Sequence, residues 1–318
     1  MTTRAIAKTQ DRGLEPSYLA RLAKNIAAHK YAYLMIVPVL VYYILFCYAP
    51  MYGAVIAFKD FSPRLGILKS EWVGFRYFAE LFQSPNFYRA LKNTLVISVS
   101  SLVFCFPSPI LLALLLNELR GKIFPRIVQT TSYLPHFISL VVVCGMIKDF
   151  TMDTGFVNDI IVFFGGERTT LLNQAGAFVP IYIISDIWQG AGWSSIVYLA
   201  ALTSIDQQLY EAADIDGAGR LRKLFSITLP GIMPTITMML ILKIGSLLNV
   251  GYEKIILLYN PLTYDTADVV TSFVYRRGLQ DMDWSFSTAV GLFNSAINFV
   301  LLFSANTISR KVSDGGLW

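Results

Sequence analysis

The chain has 318 residues, 55% of them hydrophobic and 15% charged, with a mean hydropathy of +0.54. A water-soluble domain carries about 25% charged residues, and here the apolar excess is gathered in long uncharged runs, so composition excludes a soluble domain and indicates a multi-span membrane protein. The formal charge of +5 does not indicate nucleic acid, because basic residues flank the apolar runs, and Cys47, Cys105 and Cys144 lie inside those runs, which argues against a disulfide framework or metal knuckle.

Residues 1–30 read as a basic tail with Arg4, Lys8, Arg12, Arg21, Lys24 and Lys30. The first apolar run is too long for a signal-peptide core and has no small-residue cleavage pattern behind it. Residues 31–58 are free of charge and predict a first span, bent by Pro38 and ending on the outside near Pro50. Residues 59–92 are polar and aromatic and predict a structured external loop, with Trp72 and nearby rings at the membrane interface.

Residues 93–117 predict a second span, kinked by Pro107 and Pro109, and a short return carries Arg120, Lys122 and Arg126. A third span is expected over residues 127–147, where His136 follows Pro135 and has a structural or interfacial reading. Residues 156–164 form an apolar patch too short to cross, so an interfacial or re-entrant element is expected. The fourth span, residues 178–202, contains Asp186, Trp188 and Gln189, which favour a protein interior or the outer interface over lipid.

A fifth span is expected over residues 224–252, beginning near Pro230 and interrupted by Lys243 alone. Residues 253–283 are polar and read as external, and residues 284–309 supply a sixth span closed by Arg310 and Lys311. Six crossings put both termini on one side, and the basic short loops assign that side to the cytoplasm. Residues 31–318 then form one transmembrane domain, with residues 206–229 as a cytoplasmic loop.

That loop is organised. Asp206 is a suitable cap, Tyr210 to Ala213 favour a helix, Gly217 and Gly219 interrupt it, and residues 220–225 restart a second short helix before Leu229-Pro230. The residues Glu211-Ala212-Ala213, Gly217, Ile227, Leu229 and Pro230 resemble the cytoplasmic EAA loop of permease subunits of bacterial ABC importers. The likeness covers the chain from about residue 30 onward. It is closest to the carbohydrate-uptake branch for complex oligosaccharides and polysaccharide fragments, through A-P-M-Y-G-A-V-I-A-F-K-D-F at residues 49–61, K-N-T at 92–94, Y-L-P-H-F-I-S at 133–139 and G-F-V-N at 155–158.

The resemblance implies an all-α fold, the six-helix core of a type I ABC importer permease, in the bacterial cytoplasmic membrane. It implies that Glu211 makes a polar contact in a groove of a separate ATPase, that Ala212 and Ala213 keep the helix slim, that Gly217 forms the turn, and that Leu229 with Pro230 fixes the link to the fifth span. Implied partners are a second, non-identical permease subunit, two cytoplasmic ATPase subunits binding ATP and Mg, an extracytoplasmic solute-binding protein, an oligosaccharide and membrane lipid. A homodimer stays open.

The sequence lacks a phosphate-binding G-x-x-x-x-G-K-[ST] loop, so ATP hydrolysis is not expected in this chain, nor a catalytic residue, cofactor or metal site. Candidate pathway residues are the polar positions of the spans. These are Trp188 and Gln189 for stacking and hydroxyl bonding, Lys243 and Asn249, and Asn294 with Asn298, which share a helix face; holding helices together is the competing role. Lys243 would attract an acidic sugar or pair with a partner's carboxylate. Rival readings are an ABC permease for peptides, amino acids or an ion, an ion-gradient-driven transporter, and a receptor or structural membrane protein.

Overall fold

The computed structural model describes residues 27–119, 121 and 123–312. Most of the basic tail, with Arg120 and Lys122 of the short return, lies outside the described residues. The chain divides into two units at Val55 and Ile56. In the first, α1 (Lys30–Tyr42) continues through a π turn (Tyr43–Tyr48) into Ala49–Met51. Pro38 is accommodated inside α1, and Pro50 opens the last α turn, where its missing N–H has little to lose. Helical backbone runs on to Phe58, so Pro50 does not end the first apolar helix.

The second unit opens on a small hairpin of β1 (Lys59–Asp60) and β2 (Glu71–Trp72), paired antiparallel with Lys59 opposite Trp72. Helix α2 (Arg76–Gln83) packs beside it, and the Tyr77 hydroxyl donates to Asp60 Oδ1 at 2.9 Å. Burial first, and then Asp60, raise the Tyr77 phenol above its ordinary pKa of 10.0. The Ser84 side chain caps the next helix, so α3 (Pro85–Glu118) starts eight residues before the second span read from the sequence. Its 34 residues include a π turn at Ser101–Cys105, just before Pro107.

The third apolar run is not one straight span. Helix α4 (Ile123–Tyr133) passes into a 3₁₀ turn (Leu134–Phe137), and extended Ile138 and Ser139 precede α5 (Leu140–Thr151). The helical stretches on either side are bent by 100°. Pro135 lies in the 3₁₀ turn just before that break, where the α-helical ladder of hydrogen bonds has already given way. The expected short apolar element is α6 (Phe156–Phe163), secured by buried Asn158, whose amide donates to the Thr169 carbonyl at 2.8 Å and accepts from the Thr169 N–H at 3.0 Å.

Helix α7 (Ala175–Thr203) is the centre of the second unit, touching α3, α4 and the helix that follows the central loop. Close approach to α4 requires Gly192, because an added Cβ would overlap the Ser132 carbonyl. Four helical stretches among the described residues are long and apolar enough to cross a bilayer: Lys30–Phe58, Pro85–Glu118, Arg220–Gly245 and Trp284–Lys311. The bent pair counts as a fifth if taken as one span. With its 29 residues α7 is also long enough, but Asp186, Gln189 and its serines make it more polar, which suits a helix enclosed by protein.

Three buried clusters hold these elements. Val143, Phe178, Tyr182 and Ile255 lie in one, and Leu81, Phe87, Phe273 and Phe286 in another. Ile110, Tyr198 and Ile232 form the third, against which Tyr210 and Ile227 pack. Residues 253–283, read as polar and external, are built from α10 (Tyr252–Leu258), which starts one residue earlier, α11 (Val270–Tyr275) and a π turn (Arg276–Gln280), and α12 (Trp284–Val312) follows. Their anchor is Asp268, fully buried, which accepts from Arg276 at 2.6 and 3.2 Å and from Ser272 at 2.8 Å. Burial works against the Arg276 charge, but Asp268 outweighs it and holds that pKa raised. The K-N-T segment joins the same knot: Asn93 donates to the Asp268 carbonyl and Thr94 accepts from the Val270 N–H.

Candidate functional site

The central loop folds as two helices on a tight turn. Asp206 accepts from the Gln208 N–H at 2.9 Å and starts α8 (Gln207–Ile215). At its end Gly217 adopts φ +73°, a left-handed conformation that other residues resist, and the Ala218 N–H returns to the Ala213 carbonyl at 2.8 Å. Glu211 and Ala212 are exposed and Ala213 is half-buried. Leu209, Ile215, Leu221 and Phe225 are exposed around them, so the loop presents an apolar surface with a carboxylate on it.

The second helix is not a separate short element. Arg220–Lys223, a π turn (Leu224–Thr228) and Leu229–Gly245 form one uninterrupted helix, α9 (Arg220–Gly245). Pro230 falls in the first turn after the π segment, where a proline is tolerated. The fifth span therefore starts ten residues before Pro230 and stops at Gly245, seven short of the expected end. Two contacts tie α8 to α9: Tyr210 and Thr228 share a hydrogen bond of 2.9 Å between hydroxyls, and Lys223 pairs with Asp214.

The far half of α9 walls a cavity of about 480 Å³. Met239, Leu242 and Lys243 face it from α9 and Ser246 from just past its end, and Asp186, Gly190, Trp193 and Val197 face it from α7. The spacings 186, 190, 193, 197 and 239, 242, 243, 246 are single helix faces. A second cavity of about 230 Å³ shares Asp186, Lys243 and Ser246 and adds Ser98, Ser101, Tyr182 and Asn249. Lys254 Nζ, from α10, approaches Asp186 Oδ1 and the Tyr182 carbonyl, each at 3.3 Å. Trp193 stacks on His136, with centroids 4.7 Å apart and planes 2° apart, and remains 44% exposed.

The six candidate pathway residues are therefore divided. Lys243 and Asn249 line the paired cavities. Asn294 and Asn298 both donate to Asn249 Oδ1, at 3.0 and 3.1 Å, and Asn298 accepts from the Leu248 N–H, so these amides fasten α12 to the turn that follows α9 and orient Asn249. Trp188 lies about 200° around α7 from Asp186. It lines a largely apolar groove with Val143, Ile147, Phe150 and Ile184, apart from the polar cavities. Gln189 is half-buried and about 40° from Trp193 around the axis, beside the cavity stripe.

Missed from the sequence were Trp193, Ser246 and Lys254. The i, i+4, i+7, i+11 stripe through Asp186 was the available signal for Trp193. None existed for Lys254, which meets Asp186 only through the fold.

Long apolar helices enclosing a polar, charged groove, with one helix running from that groove to an exposed two-helix loop, define a transport subunit of a membrane. Residues 90–314 match the family described as binding-protein-dependent transport system inner membrane component. The chain belongs to that family and is a multi-pass permease subunit of an ABC importer with the type I fold. It is 48% identical, over 94% of this chain and 93% of the relative, to the polygalacturonan/rhamnogalacturonan transport system permease protein YteP of Bacillus subtilis. Protein LplB of the same organism is 46% identical over 95% of this chain and 94% of its own length. A solved bacterial alginate ABC transporter, in complex with alginate pentasaccharide-bound periplasmic protein, has a chain that superposes with a TM-score of 0.87 at 45% identity, covering 93% of this chain and all of that one.

Proposed function

We propose that this chain lines half of the path by which an oligosaccharide or polysaccharide fragment enters a bacterial cell. The observation that carries the reading is the pair of cavities joined at Asp186, Lys243 and Ser246, with Lys243 on the continuous helix that leaves the central loop. Charged and hydroxyl groups beside an exposed indole suit a polyhydroxylated ring, which offers hydrogen-bonding edges and an apolar face. Support also comes from relatives named for polygalacturonan/rhamnogalacturonan and alginate transport.

In this reading a second, non-identical permease subunit closes the groove, and an extracytoplasmic binding protein delivers the glycan. Two ATPase subunits bind ATP with Mg and hydrolyse it on the cytoplasmic side, where both termini of this chain also lie. Glu211 makes the polar contact with an ATPase, with slim Ala212 and Ala213 entering its groove. Gly217 sets the turn, and Leu229 and Pro230 lie at the join to the span. ATPase closure pushes α8, and α9 carries the movement to the cavity wall. Transport rests on differential affinity of two conformations for glycan, with no covalent chemistry here.

The test is ATP hydrolysis by the reconstituted complex of both permeases, ATPases and binding protein across neutral and acidic oligosaccharides, with Glu211→Ala beside the wild type. Expected is glycan-stimulated hydrolysis that Glu211→Ala sharply weakens in an assembled complex. An active complex indifferent to every glycan but stimulated by a peptide or amino acid overturns the substrate class. Full stimulation of the assembled variant overturns the role of Glu211.

A further inference from the structure

We propose that the paired cavities are a carboxylate-selective subsite, in which Lys243 binds the carboxylate of a uronic acid residue and Trp193 stacks on its ring. This inference rests on the oligosaccharide reading above and narrows it to acidic glycans.

The argument is a charge balance. Asp186 and Lys243 line both cavities, with Lys254 directly behind Asp186. The side chain of Lys254 is only 5% exposed, its ammonium lies 4.5 Å from the Tyr182 ring centroid, and it is paired with Asp186. That pair is neutral in sum. Among the described residues Lys243 has no salt bridge, and it is half-buried in a membrane-embedded wall. One positive charge is therefore in surplus in the cavity wall, and such a charge takes an anion when one is offered.

Asp186 adds discrimination of a second kind. Its side chain is 37% exposed and borders the same space, so an anion that approached from the α7 side would meet a like charge, whereas one on the α9 side meets Lys243. A carboxylate is thus directed to one wall. The indole of Trp193, held flat by His136, borders the larger cavity that Lys243 also lines. A hexuronate has both parts, an anionic group and an apolar ring face. A neutral hexose leaves Lys243 without a counter-charge.

The test uses the complete reconstituted complex with its binding protein, and two probes of equal length: trigalacturonate and its fully methyl-esterified form, which is neutral. Wild type, Lys243→Gln and Lys243→Arg are compared by probe-stimulated ATP hydrolysis. Expected is stimulation of the wild type by trigalacturonate, a loss of about tenfold or more in Lys243→Gln, in line with a charge-assisted hydrogen bond, and recovery in Lys243→Arg. Lys243→Gln as active as wild type on trigalacturonate overturns the subsite, as does Lys243→Arg as inactive as Lys243→Gln. Failure of Lys243→Gln to assemble with the second permease also overturns it, assigning Lys243 to a partner carboxylate instead. Stimulation of the wild type by the neutral probe alone defeats the acidic subsite and leaves the oligosaccharide reading standing. Indifference to these and all other glycans defeats both.

Discussion

Lys254 Nζ sits 3.3 Å from Asp186 Oδ1, so a residue of α10 holds the one carboxylate of α7 at the cavity edge. The two are unequally buried, with side chains 5% and 37% exposed. Removing either therefore has unequal consequences. Asp186→Ala strands a buried ammonium and is expected to lower stability by about 3 kcal/mol, whereas Lys254→Met leaves a carboxylate that water reaches and is expected to lose about 1 kcal/mol. The double variant should lose less than the sum. Thermal unfolding of the purified complex in detergent checks the order, and equal losses from the two single variants would count against it.

The hydroxyl contact between Tyr210 and Thr228 joins the two arms of the coupling loop. Tyr210→Phe keeps the ring in its apolar contacts and removes the bond alone, worth about 1 kcal/mol. Assembly should be unaffected, while substrate stimulation of ATP hydrolysis falls several-fold relative to the basal rate. If the stimulated and basal rates stay in wild-type proportion, the contact has no part in coupling.

Gly192 lets α7 approach α4, and a methyl there meets the Ser132 carbonyl, which is backbone and cannot turn aside. Gly192→Ala is expected to destabilise the fold by about 1–3 kcal/mol, with reduced yield of dispersed protein. Gly176→Ala, in the same helix but with open space around it, is the control and should be tolerated. Similar yields of the two variants would contradict the close crossing.

Asp268 is fully buried and depends on Arg276 for its charge balance. Arg276→Met should cost about 3–5 kcal/mol and loosen the segment after α10, whereas Asp268→Asn with Arg276→Met should recover much of that loss. Limited proteolysis near residues 260–283 reads the loosening directly. Unchanged cleavage in Arg276→Met would mean that the packing of the Tyr264 ring on Tyr259, with centroids 4.9 Å apart, and not the ion pair, holds the segment.

The apolar helices were legible because uncharged runs need no tertiary information, and the coupling turn was legible because Gly217 declares its conformation locally. The failures have physical causes too. Pro50 and Pro230 suggested ends, yet each follows closely on a π turn, where the hydrogen-bond ladder already changes register, and the helix continues past it. Residues 127–147 looked continuous because a run of apolar side chains does not reveal extended backbone at Ile138 and Ser139. Trp188 and Trp193 are equally suited by chemistry to meet a sugar, and only their rotation about α7 separates them. Asp186 and Lys254 are 68 residues apart and meet only in the folded chain.

The unbroken helix α9 joins the central loop to the cavity wall as one rigid arm. From Thr228 in its π turn to Lys243 the axis measures about 22 Å, so tilting this arm by about 10° swings the lysine by about 4 Å. The opposite wall need not follow, since Asp186 rides on a different helix and is tethered to Lys254. On the proposed coupling role, a small stroke at the loop would draw apart the two charges that line both cavities.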